Sequence, residues 1–82
     1  MSLEMKKIVV SSDYTVMSAS SLTMFGEISC PTSNAGIVYF KNATDSDIPW
    51  EAGEWHSFTS QDISQIYTKG TNGDVVTVIG GN

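Results

Sequence analysis

The 82-residue sequence contains no arginine, one cysteine, one histidine and two prolines. Each shortage excludes something. Arginine reads guanine edges and clamps phosphates, and a nucleic-acid binder also needs a cationic stripe. Here four lysines face nine carboxylates, for a net charge of −5. Such a chain repels nucleic acid and offers no polybasic patch to anionic lipid. Cys30 alone forms no internal disulfide. With His56 it supplies too few soft ligands for a closed zinc site. No stretch approaches the ~20 apolar residues of a membrane span, and none shows the ~10–12 periodic residues of an ordinary helix.

What remains is a single small domain. A chain of this size buries only roughly 60–65% of the surface that its unfolded form exposes. With no disulfide or metal set to add stability, self-association is the remaining route. A homo-oligomer is expected, as a closed trimer or dimer, or a subunit held by other proteins. At the N-terminus, Lys6-Lys7 precede a three-residue apolar run that stops at Ser11, too short for a signal peptide core. Synthesis in a reducing cytosol is expected. Met5 reads as a natural start and residues 1–4 as a cloning remnant, leaving 5–82 as one β domain.

The pattern of short apolar runs and turns every 8–12 residues points to an all-β fold. It is read as a small antiparallel sandwich or barrel of about seven short strands, with one short helical turn near residues 61–66. Ile8 to Val10, Tyr14 to Met17 and Thr23 to Cys30 read as strands, with Gly26 marking a bulge or bend. Ser18 to Ser21 reads as a loop and Pro31 to Gly36 as a turn. Ile37 to Phe40 is four consecutive large residues, which predicts a strand buried on both faces. Pro49 to Gly53 reads as a turn, and Trp55 to Thr59 as a strand. Ser60 or Asp62 would cap the helical turn, with Ile63 and Ile66 on its inner face. Ile66 to Lys69 returns to β structure. Asn72-Gly73 predicts a tight hairpin into the closing strand Val75 to Ile79. Val76 and Val78 point one way along it. Gly80 to Asn82 reads as a flexible tail.

Candidate chemistry is sparse. Asp45, Asp47, Glu51 and Glu54 surround one turn, but their spacing does not match a calcium loop. His56 could be joined to Ser57 or Ser60 and Asp62 on paper. No strained nucleophile turn or oxyanion hole accompanies them, and a partly buried strand histidine is the plainer reading. Cys30 precedes a proline with no base nearby and reads as a buried thiol. No catalytic residue, cofactor site or metal site is assigned. Tyr39, Trp50, Trp55 and Tyr67 are the candidate contacts. Tryptophan and tyrosine fill cores, anchor interfaces or stack on sugar rings.

Val38-Tyr39-Phe40, Ile48-Pro49-Trp50, Gly53-Glu54, Asp62 to Tyr67 and Val75 to Gly81 together form a pattern. Over residues 36–81 it resembles small β-rich structural proteins of tailed bacteriophage particles, of the head decoration (cement) or head-fibre kind. The resemblance implies a non-enzymatic virion or prophage protein, decorating or joining capsid or tail subunits. Its partners would be further copies of itself or other virion proteins. The alternative is a carbohydrate- or host-receptor-binding module that uses the exposed aromatics.

Overall fold

The computed structural model describes residues 3–44 and 47–82, and the chain forms a sandwich of two antiparallel four-stranded sheets. In chain order the strands are β1 (Leu3–Val9), β2 (Thr15–Val16), β3 (Thr23–Ser29), β4 (Val38–Lys41), β5 (Ile48–Trp50), β6 (Trp55–Asp62), β7 (Tyr67–Lys69) and β8 (Val75–Gly81). A 3-10 turn, Ile63–Gln65, separates β6 from β7. Sheet A has the order β1-β8-β3-β6 and sheet B the order β2-β7-β4-β5.

Strict alternation on the central strands builds the core. Val76 and Val78 of β8, Met24 and Ile28 of β3, and Val38 and Phe40 of β4 point between the sheets and are buried. Val10, Met17, Cys30 and Ile63 close the layer, with Ile8, Leu22, Trp50, Phe58 and Ile66 packed against it. The apolar inner face of each sheet is thereby covered by the other, the usual solution for a sandwich.

Gly26 and Gly80 set the contact between the two central strands of sheet A. They lie opposite one another. A Cβ on Gly26 would overlap the Ile79 carbonyl, and one on Gly80 would overlap the Phe25 carbonyl. Only backbone fits at this crossing. Beside it the β3–β6 register slips between Met24 and Gly26. Thr59 and Ser60 of β6 together oppose Phe25, as in a β-bulge, and Ser60 takes a positive φ of 51°. Gly26 is thus next to the bulge, while the extra residue belongs to β6.

Two carboxylates tie loops to strands. Asp74, buried at the head of β8, accepts from the Ala35 and Gly36 amides at 2.8 and 2.9 Å. Asn34 completes this tie, since its side chain donates to the Val75 carbonyl and accepts from the Val75 amide. Asp62 caps the 3-10 turn by accepting from the Ser64 amide, and it also accepts from the Leu22 amide.

Several expectations are corrected. The first strand, Leu3–Val9, is longer than the expected Ile8 to Val10 and begins earlier. Ile37 to Phe40 is not buried on both faces. Tyr39 and Lys41 point outward and Ile37 is exposed, because β4 alternates like its neighbours. Pro49 is in strand β5, opposite Tyr39 on the sheet edge, where a missing N–H is tolerated. The turn follows it at residues 51–53. Gly73 has the positive φ of a tight turn, but Asn72-Gly73 makes no hairpin, since β7 and β8 belong to different sheets. Gly80 and Gly81 are no tail. They extend β8, Gly80 pairing with Glu4 and Gly26, and Gly81 with Leu3 and Phe25.

Candidate functional surfaces

The outward side of sheet A carries most of the exposed large apolar residues, with Lys7, Glu27, Ser29 and Thr77 among them. Register places Met5, Ile79 and Glu27 in one row across β1, β8 and β3. Lys7, Thr77, Ser29 and Trp55 form the next row. Leu3 and Phe25 flank Gly81 at one end, and Val9 lies beside Val75 at the other. Nine large hydrophobic residues are exposed among the described residues, and six of them, Leu3, Met5, Val9, Phe25, Trp55 and Ile79, are on this one face. Trp55 is 59% exposed and Leu3 70%. Ile79 separates two shallow hollows, one of about 320 Å³ toward Trp55 and Glu27, the other of about 250 Å³ toward Met5 and Lys7.

The outward side of sheet B has a different character. Lys69 is paired opposite Tyr39, and Lys41 opposite Tyr67. Tyr14, just before β2, joins them. The Lys41 ammonium is 4.7 Å from the Tyr14 ring centre and 5.5 Å from that of Tyr67. The Lys69 ammonium is 4.8 Å from the Tyr14 ring centre and 5.8 Å from that of Tyr39. All three tyrosines and two of the four lysines of the chain meet here. Each lysine is held over an aromatic face by attraction to its quadrupole. The Tyr14 hydroxyl donates to Asp47 Oδ1 at 2.5 Å, and Lys69 Nζ is 3.6 Å from the same oxygen. Asp47 is held below the usual carboxylate range chiefly by the Tyr14 hydrogen bond, and Tyr14 is raised chiefly by desolvation. Beside this cluster lies an open hollow of about 500 Å³. Tyr39, Lys69, Ser12, Thr71, Gly36 and Gly70 line it.

The four candidate contacts therefore belong to three places. Tyr39 and Tyr67 share the outer face of sheet B. Trp55 is on the outer face of sheet A. Trp50 points inward from β5 and is half-buried, its ring 4.2 Å from Phe40 and 4.6 Å from His56, centre to centre. It also lines an apolar cleft of about 290 Å³ with Ile28, Phe40, Ile48 and Ile66, between the sheets. Sequence reasoning missed Tyr14, Lys41 and Lys69. The spacing of Tyr39-x-Lys41 and Tyr67-x-Lys69 was the available signal, since a period of two puts each pair on one strand face.

His56 is not partly buried. It is exposed at the rim, with Nε2 2.7 Å from Glu54 Oε2. The hydrogen bond from His56 is the main cause that lowers the Glu54 pKa. Asp62, the paper partner of His56, is occupied by the Leu22 amide and by the hydroxyls and amide of Ser21 and Ser64, which hold it well below the usual carboxylate range. The acidic cluster is dispersed: Asp47 turns to Tyr14 and Lys69, Glu54 to His56, and Asp45 is outside the described residues. Cys30 is buried as expected, and burial, with smaller contributions from Glu54 and Asp74, pushes its thiol up to about 11. Comparison with protein-family models, curated proteins and solved structures returned no match.

Proposed function

We propose that this protein is a non-enzymatic structural subunit of a tailed-bacteriophage particle, decorating or joining capsid or tail subunits. The outer face of sheet A is where it meets its neighbours. One observation supports this reading: six of the nine exposed large hydrophobics are gathered on that face. Apolar residues scattered singly over a surface need no explanation, but their concentration on one face points to an interaction surface. Trp55 supplies the large aromatic anchor that interface hot spots favour. The mechanism is cementing. Each bound copy is stabilised by its neighbours through mass action, and the particle is stabilised in turn. In solution the same face supports a closed dimer or trimer.

Sedimentation velocity at micromolar concentration tests the assembly, with Ile79→Asp as the probe. The native chain should associate, and the variant should dissociate at a concentration at least about tenfold higher. A native chain that stays monomeric, with a melting temperature indifferent to concentration, counts against the reading. Mass spectrometry of purified particles tests the setting, and absence of the protein from them overturns it.

A second reading, a carbohydrate- or host-receptor-binding module, is favoured by the Tyr14–Tyr39–Tyr67 face of sheet B. The exposed Tyr67 ring and the half-buried Tyr14 and Tyr39 rings, with hydroxyls and ammonium groups around them, offer both an apolar platform and directional polar contacts.

A further inference from the structure

We infer that the tyrosine–lysine face of sheet B, with the hollow beside it, binds an acidic saccharide through a carboxylate on a pyranose ring. The inference rests on the second reading above and is independent of the assembly face of sheet A.

Segregation of charge is the first argument. The chain is acidic overall, so most of its surface repels an anion. Lys41 and Lys69 nevertheless meet within 5 Å of one ring centre, that of Tyr14. Among the described residues, Asp47 is the one carboxylate ion-paired to either lysine, and the Tyr14 hydroxyl already occupies the oxygen that Lys69 approaches. The cluster is a locally cationic island with aromatic walls.

Shape is the second argument. Small ligands bind in hollows of ~300–1,000 Å³ lined by aromatic groups and a few convergent polar ones. The hollow beside Tyr39 and Lys69 has about 500 Å³. It is lined by the Tyr39 ring, the Lys69 side chain, the apolar Ile37, Ser12, Thr71 and two glycines. A sugar ring has an apolar C–H face that stacks on a phenol, and an equatorial rim of hydroxyls that seeks donors and acceptors. Lys69 adds a charge-assisted contact that a neutral sugar cannot use. Cross-strand lysine–tyrosine pairing by itself accounts for sheet stability. It does not account for a ligand-sized hollow opening next to the same two residues.

The experiment is a backbone amide NMR titration of the full chain with 3′-sialyllactose and, separately, with lactose. Sialyllactose should shift the amides of Tyr39, Lys69, Gly70 and Thr71, with a dissociation constant of about a millimolar. Lactose should bind about tenfold more weakly. Lys69→Gln should reduce sialyllactose to the lactose level at a temperature well below the variant's own melting point. If that variant fails to fold, the comparison of the two ligands on the native chain still decides. Equal binding of both sugars would overturn the acidic specificity and leave the saccharide reading intact. Absence of binding by either would overturn both. Identical shifts produced by sodium sulfate alone would show a general anion patch and overturn the inference.

Discussion

Sheets A and B use the same alternation but hold themselves together differently. Sheet A has strands of seven, seven, seven and eight residues, with long uninterrupted ladders between β1 and β8. Sheet B has strands of two, three, four and three residues. Short ladders contribute few backbone bonds, so sheet B relies more on side chains, the tyrosine–lysine pairs on its outer face, whereas Asp62, Asp74 and Asn34 tie loops to strands of sheet A. The outer faces follow suit. That of sheet B carries the partnered cluster of tyrosines and lysines, whereas that of sheet A leaves large apolar residues exposed. The sheet with the longer ladders thus carries the more apolar outer face.

The contrast breaks most completely at Gly80. Gly80→Ala should cost about 4 kcal/mol or abolish folding, since the new Cβ meets backbone that cannot move aside. Urea unfolding followed by circular dichroism measures this. A loss below 1 kcal/mol would show that β3 and β8 separate easily and that sheet A is not the rigid half. Gly73→Ala is the matching control. Nothing lies within 4 Å of a Cβ there, and only its positive φ of 93° opposes the change, so the cost should be about 1 kcal/mol.

Asp74→Ala probes the lacing. It strands two amides, Ala35 and Gly36, beside a buried site, and should cost about 2–4 kcal/mol. Amide exchange should accelerate first around residues 31–38 and at the start of β8. Uniform acceleration throughout the chain would mean that the tie serves the whole sandwich rather than this one junction.

Acid should expose the next difference. The carboxyl of Asp62 is lowered in the fold, first by the Leu22 amide and then by Ser64 and Ser21. A lowered carboxyl contributes stability that is complete above its unfolded value of about 3.9 and lost as pH falls toward the folded value. Asp62→Asn should therefore flatten the decline of melting temperature below about pH 4, while leaving a constant deficit at neutral pH. An unchanged acid limb would remove Asp62 from the account. The smallest effect belongs to Thr68, fully buried on the inner side of β7 with a hydroxyl that has no hydrogen-bond partner. Thr68→Val keeps the shape and removes the stranded hydroxyl, so stability should rise by about 1 kcal/mol. A fall would show that the hydroxyl is satisfied in solution.

Much of this architecture was legible locally. The alternation put Val76 and Val78 on one side of β8, which is its inner face, the cap of the helical turn was narrowed to Ser60 or Asp62 and is Asp62, and Cys30, with no base nearby in sequence, is buried. The failures share a cause. Ile37 to Phe40 looked doubly buried because an apolar run does not say whether a second layer covers each face. Asn72-Gly73 looked like a hairpin because a turn signal does not say which sheet the next strand enters. Gly80-Gly81 looked like a tail because glycine's value there is its thinness against Gly26, over fifty residues away in sequence.

The sequence by itself determined the fold class, the alternation of β8, the acidic charge and the scarcity of cysteine, histidine and arginine, because these depend on composition and on periods of two. Only the tertiary structure decided the two surfaces. Tyr14, Tyr39, Lys41, Tyr67 and Lys69 come from three strand regions far apart in the chain, and Leu3, Phe25, Trp55 and Ile79 from four. Which outward residues become neighbours is fixed by strand order, and strand order is set by how two apolar faces cover one another in three dimensions.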